Sequence, residues 1–310
     1  MTRTVVAESY GGPEVLALQD IELPAAGETQ VLVDVRAAGA NPIDYKLYSG
    51  GMGDDPARLP LPIGLEAAGV IVAVAPGVAG YTGPLTVGDA VIVTGVSGGY
   101  AEQVLANASD VGHKPDALSF EQAAGLLLVG GTAWHLLTNT GVGTGDTVLI
   151  HGASGGVGLM AVQLAVARGA KVIATASPAR HDQLRAYGAE PVAYGDGLAD
   201  RVRAIGAVDA ALDLVGTEEA LVTSVELVSD RSRIATIAGF AKAPELGIAV
   251  LTEADGGQAI RDGARPQLID LAAQGKLEVT VDRTFPLEEA AEAHRYLQTG
   301  HARGKVVLVP

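Results

Sequence analysis

The chain has 310 residues, 48% of them apolar, with 21 Lys plus Arg against 36 Asp plus Glu for a formal charge of −15. At about 150 residues per domain, that length predicts two domains with buried cores. The acidic balance excludes the cationic footprint that a nucleic-acid backbone demands. The absence of cysteine excludes disulfides, thiolate catalysis and sulfur-ligated zinc.

The opening MTRTVVAESYGG lacks the apolar run and small-residue cleavage site of a secretory signal, so a cytoplasmic location is expected. From residue 4 to about 112, β-branched runs (TVVAESY, VLALQD, QVLVDVRAAG, GVIVAVAPG, DAVIVTG) broken by Gly and Pro predict a β-rich domain of short strands. The uncharged stretch Ala123 to Gly145 is long enough to cross a bilayer. Its glycines, Asn139 and His135 mark a buried helix and turn instead, and no membrane partner is expected.

Beyond about residue 119, apolar strands alternate with helix-length segments. Strands are predicted at 147–151, 171–175, 190–193, 208–212 and 233–238, and helices at 157–168, 179–187, 199–205 and 218–228. Such alternation predicts a doubly wound parallel sheet. A helix over 267–274, a strand within LEVTVDRTF, a helix over 287–299 and a final strand over 305–309 follow. These last strands resemble the first domain's, so the tail is expected to return there and the α/β section to be an insertion. Residues 246–251 read as an edge strand, which invites pairing with a second copy, and a homodimer is expected.

The segment HGASGGVGLMAVQLAVARGAKVIATAS joins strand, glycine turn, helix and second strand. That context is what a dinucleotide diphosphate needs: a tight turn, bare backbone and the amide-rich start of a helix. Ala153, Ser154, Gly155, Gly156, Val157 and Gly158 form the expected cradle. Gly155 and Gly158 take the second and third glycine places of GxGxxG, and Ala153 takes the first. The same residues also spell GASGG, a GxSxG elbow with Ser154 as nucleophile, for which Asp213 and His294 or His301 would complete a hydrolase triad. The short strands upstream do not supply the sheet that such an elbow needs.

Where NAD-binding proteins place an acidic residue, the second strand ends in Thr175, Ala176 and Ser177, followed by Arg180 and His181. Without a carboxylate to repel a 2′-phosphate, NADPH is favoured. Arg180 reads either as a phosphate ligand or as a solvated first-turn residue, and Tyr194 either as a second phosphate contact or as a strand-end aromatic. Asp213 reads as a brace for the next loop.

The motifs YGGPEVL, AAGANPIDYKLYSG, LPIGLEAAGVIVAVAPGV, VGDAVIV, GGYAE, GTAWHLL, HGASGGVG and GHARGKVVLVP, in this order and spacing, resemble the medium-chain dehydrogenase/reductase superfamily. Within it, the likeness is to the zinc-free quinone oxidoreductase (zeta-crystallin-like) branch. The resemblance covers essentially the whole chain. It implies a Rossmann domain, residues 118–277, inserted in a β-rich GroES-like substrate domain, residues 1–117 and 278–310, with the nicotinamide in a cleft between them. The GHE motif of zinc-dependent relatives is here Gly64, Leu65 and Glu66, so no metal is expected.

Without a Lewis acid, conjugate reduction is easier than alcohol oxidation. The resemblance implies hydride transfer from NADPH to a quinone or an enone or 2-alkenal, with donors stabilising the developing oxyanion. Asn41, Lys46 and Tyr48 are the catalytic candidates, although Asn41 also reads as a turn residue and Tyr48 as packing. Thr132 is expected beside the nicotinamide, with Gly239 and Phe240 beneath it. Arg303 and Lys305 read as phosphate contacts or as charges flanking the last strand. A cofactor-binding protein with little turnover is the alternative from another class.

Overall fold

The computed structural model describes every residue except Glu253 and Asp255. The chain forms two compact units. One comprises Met1–Leu128, Ile269–Gly275 and Val279–Pro310, and the other Val129–Leu268 and Lys276–Glu278.

The first unit is built on a seven-stranded sheet. Its spatial order is Val111–His113, Ala90–Thr94, Glu66–Val74, Gln30–Ala40, Lys305–Val309 and Val281–Pro286, and Gln103–Asn107 also pairs with Gln30–Ala40. The period-2 pattern of a half-buried strand is visible in Gln30–Ala40, where Val31, Val33 and Val35 point inward. The C-terminal strand pairs antiparallel with Gln30–Ala40 through Val306–Ala40, Val307–Gly39 and Leu308–Ala38. A smaller sheet of Leu16–Ile21, Thr2–Ala7 and Leu61–Pro62 packs Val5, Ala7 and Leu61 into the same core.

The second unit is a six-stranded, all-parallel sheet in the order Glu190–Val192, Lys171–Thr175, Thr147–His151, Ala210–Asp213, Ile234–Thr236 and Ala249–Val250. Numbered along the chain, that order is 3-2-1-4-5-6, the doubly wound Rossmann arrangement. Its central strands are buried except at Thr147, as continuous apolar runs covered by helices require. The strand order reverses between Thr147–His151 and Ala210–Asp213. Ligands of such sheets bind beyond the carboxyl ends of the strands at that reversal.

Several elements differ in extent from the sequence expectation; the edge strand expected over 246–251 is only Ala249–Val250, because Ala243–Leu246 is helical and turns at Gly247, with φ +68°. The strand predicted over 233–238 is only Ile234–Thr236, because Arg231–Arg233 forms a 3₁₀ turn and the Thr236 hydroxyl bonds the amides of Ala238 and Gly239 outside the ladder. The helix predicted to begin near residue 267 begins at Gly257 and reaches Ala273, through Pro266. Packing overrides the proline signal there: Leu268 of this helix lies against the bare surface of Gly130, on the helix Leu127–Asn139.

Candidate active site

The sheet's first strand turns at Gly152, with φ +71°, before the helix Gly156–Ala167 begins. A Cβ at Gly152 would lie 2.6 Å from Val215 Cγ1, and one at Gly158 would lie 2.4 Å from the Gly152 carbonyl oxygen. The tight-turn role expected at position 153 therefore falls one residue earlier. Ala153 is buried and its N–H donates to the Thr175 carbonyl at 3.1 Å, tying the turn to the second strand. Gly155 caps the helix, and a Cβ there would meet nothing nearer than the Gly152 oxygen at 3.6 Å. Ser154, Gly156 and Val157 are partly exposed. Bare backbone at the positive end of a twelve-residue helix suits a diphosphate.

The second strand ends at Thr175, which is buried, and Ser177, two residues beyond it, is partly exposed; no acidic side chain occupies the interval. Arg180 is partly exposed, and the His181 ring is held 3.2 Å from the Ala176 carbonyl. Tyr194 is 60% exposed and Phe240 is 50% exposed, large aromatic surfaces beyond the ends of the third and fifth strands. Gly239 is buried beside Phe240, and Thr132 is buried within Leu127–Asn139. His135, a turn further along, is a core histidine whose pKa is lowered by burial and then by Arg261.

In the other unit, Asn41 caps the helix Pro42–Tyr48, and the Asp44 carboxylate accepts the Asn41 backbone N–H at 2.8 Å. The Asn41 side chain is buried and committed. Its amide donates to the Gly39 carbonyl (3.1 Å) and to Glu66 Oε1 (3.0 Å), and its oxygen accepts from Lys305 Nζ at 2.5 Å. Asn41 therefore has no amide hydrogen to spare for a substrate oxygen. Lys305 is 3% exposed and bonds Glu66 Oε1 at 2.8 Å and the Ala40 carbonyl at 3.3 Å. The expected phosphate contact is thus corrected to a buried ion pair. The sequence around Lys305 contains no sign of its acidic partner.

Tyr48 is corrected likewise. It is fully buried, and its hydroxyl lies 2.6 Å from His294 Nδ1, with the two rings parallel. His294 Nε2 lies 3.1 Å from the Tyr100 hydroxyl, which donates to Asp44 Oδ2 at 2.8 Å. These bonds form one directed chain when Nε2 carries the imidazole proton: Tyr48 to His294 to Tyr100 to Asp44. Desolvation raises Asp44 to about 7 and lowers His294 to about 4. Desolvation and then the Asp44 charge push the Tyr48 phenol up, and its hydroxyl is committed to His294 in the core. Lys46 is partly exposed on the same helix, and Arg303 is exposed, with its backbone N–H on Asp282.

Two other chemistries fail on these contacts. At the GHE position Gly64 and Leu65 offer no ligand atom, and both Glu66 oxygens are engaged, Oε1 by Asn41 and Lys305 and Oε2 by the Leu128 N–H at 3.0 Å. The residues present do not fit a zinc ion. For hydrolysis, the Asp213 carboxylate is taken up by Val215, Gly216 and Thr236, and both His294 nitrogens by tyrosine hydroxyls. Ser154 is left without the acid and base of a triad built on Asp213 and His294.

A GroES-like β unit and a Rossmann sheet with a diphosphate turn define a dinucleotide-type α/β protein. Residues 27–116 match the family model for the alcohol dehydrogenase GroES-like domain, and residues 187–308 that for zinc-binding dehydrogenase. The quinone oxidoreductase of Sus scrofa is 32% identical over 97% of this chain and 95% of its own. That of Pseudomonas aeruginosa is 33% identical over 100% of both. The solved structure of Escherichia coli quinone oxidoreductase complexed with NADPH is 28% identical, covers 100% of both chains and has a TM-score of 0.86. The chain belongs to the medium-chain dehydrogenase/reductase superfamily, in its zinc-free quinone oxidoreductase branch.

Proposed function

We propose that this chain is an NADPH-dependent reductase of quinones or α,β-unsaturated carbonyls that works without a metal. The observation that carries this reading is the turn Gly152–Gly158, bare at Gly155 and followed by a second strand with no carboxylate at its end. The Escherichia coli structure, a complex with NADPH, supports the choice of cofactor.

NADPH, when bound, supplies a hydride from its nicotinamide. The backbone amides of residues 155–158 hold the diphosphate, and Ser177, Arg180, His181 and Tyr194 receive the 2′-phosphate side. Thr132, Gly239 and Phe240 fix the nicotinamide end, and Arg303 contributes a further positive charge. The Lys46 ammonium would donate a hydrogen bond to the acceptor oxygen on which negative charge gathers, and a proton from solvent would complete the two-electron reduction. Asn41 and Tyr48 serve by holding the helix that carries Lys46. Two copies pair along the sheet edge at Ala249–Val250, and the protein acts in the cytoplasm.

The test is cofactor titration followed by NADPH consumption against 1,4-benzoquinone, a 2-alkenal and a cyclic enone. Consumption is expected with at least one acceptor. Lys46→Met is expected to lower turnover by about 10²-fold with NADPH affinity nearly unchanged. Failure to bind NADPH overturns the proposal, and an unaltered rate clears Lys46 of any catalytic part.

A further inference from the structure

Asp213 ends its strand with a fully buried side chain. Oδ1 accepts the backbone N–H of Val215 (3.1 Å) and Gly216 (3.0 Å), and Oδ2 accepts Gly216 N–H (3.1 Å) and the Thr236 hydroxyl (2.5 Å). Thr236, the last residue of the next strand, accepts on that same hydroxyl oxygen from Ala238 N–H (3.0 Å) and Gly239 N–H (2.8 Å). One carboxylate therefore holds two successive strand-end loops, the second through a single hydroxyl. The loops lie backbone on backbone: a Cβ at Gly216, where φ is +71°, would sit 2.7 Å from the Ala238 carbonyl carbon and oxygen. His151, opposite Asp213 on the adjacent strand, is buried too.

These bonds converge on a short segment. A buried hydrogen-bonded pair is little open to competition from water. Anchoring at Ala238 and Gly239 fixes the backbone immediately before Phe240, whose ring remains half exposed.

We infer that Asp213 and Thr236 form a positioning pair: together they set the height of the Gly239 backbone and the Phe240 ring against the nicotinamide. This rests on the NADPH reading above. Neither residue touches the reacting atoms, and their effect passes through the 238–240 backbone. A serine at 236 can repeat all three hydroxyl bonds, whereas a valine of similar shape can make none.

The experiment compares wild type, Thr236→Val and Thr236→Ser in three measurements. These are amide hydrogen exchange at Ala238 and Gly239 without cofactor, NADPH binding by fluorescence, and single-turnover hydride transfer from 4-deuterated and unlabelled NADPH. In Thr236→Val, exchange at the two amides is expected to speed up about tenfold. Hydride transfer is expected to slow by up to about 100-fold while NADPH affinity stays within about threefold, because a misplaced reactant costs rate rather than binding. Thr236→Ser should match wild type in all three. Faster exchange with an unchanged hydride step, unchanged exchange, or a serine variant as impaired as the valine one overturns the pair's role. If Thr236→Val does not fold, Thr236→Ala removes the same bonds with less bulk and is read in the same way. A wild type that transfers no hydride to any acceptor overturns the NADPH reading itself, and this inference with it.

Discussion

Lys305 shows how far a single charged side chain can stray from the role its neighbourhood suggests. Its ammonium is out of solvent, 2.8 Å from Glu66 Oε1 and 2.5 Å from Asn41 Oδ1. Removing one member of such a pair strands the other charge in the core, which typically costs about 3–5 kcal/mol. Lys305→Met is therefore expected to lower unfolding stability in urea by about that amount, while NADPH affinity per folded molecule is unchanged. Lost affinity with stability intact would return Lys305 to the cofactor site. The motif around Asn41 and Tyr48 was legible as a site because polar residues cluster there. Whether each group faces a ligand or another side chain was not legible, since Glu66, Tyr100, His294 and Lys305 all lie well outside that motif.

At the level of the element, the entry to the helix Gly156–Ala167 separates two kinds of glycine. Gly158 is required by the fold, since its Cβ would press on the Gly152 and Ala153 backbone, with contacts of 2.4–2.6 Å. Gly158→Ala is expected to cost about 1–3 kcal/mol through overpacking. Gly155 has room for a methyl group, so Gly155→Ala should change stability by less than about 0.5 kcal/mol. On the proposed placement of the diphosphate, the same methyl group would stand in its path, and NADPH binding should fall sharply. Thermal unfolding and NADPH titration of the two variants check this. Equal cofactor affinity in wild type and Gly155→Ala would remove the diphosphate from this turn. Strands 147–151 and 171–175 were readable to the residue because unbroken apolar runs end at glycine or polar punctuation. The helix from Gly257 was not, because Pro266 and the glycines mask a packing surface that only its neighbouring helix reveals.

For the whole molecule, three buried groups shape stability against pH. Asp44 is raised to about 7 in the folded state, so the folded protein holds that proton more tightly than the unfolded chain does. Its contribution is full below about pH 4 and is lost as pH rises to about 7. His151 and His294 are both lowered to about 4, so their contributions are full above pH 6.5 and are lost as pH falls toward 4. Over pH 4–6.5 the histidines thus oppose Asp44, and their sum gains stability with rising pH. In Asp44→Asn the opposing contribution vanishes. The stability of the variant relative to wild type is expected to rise by about 1.4 kcal/mol per pH unit between pH 4 and 7. Denaturant midpoints at several pH values measure this, and a difference independent of pH would rule out Asp44 as the titrating group.

The alternation of strands and helices in the parallel unit, and the glycine-rich turn after its first strand, were legible in the chain alone, because apolar run length, the spacing of Gly155 and Gly158 and the missing carboxylate after Thr175 are local properties. The partners of each polar side chain were decided by tertiary structure. Lys305 meets Asn41 across 264 positions and Tyr48 meets His294 across 246. Burial and hydrogen bonding at that separation are set by which elements pack together, and no local pattern encodes them.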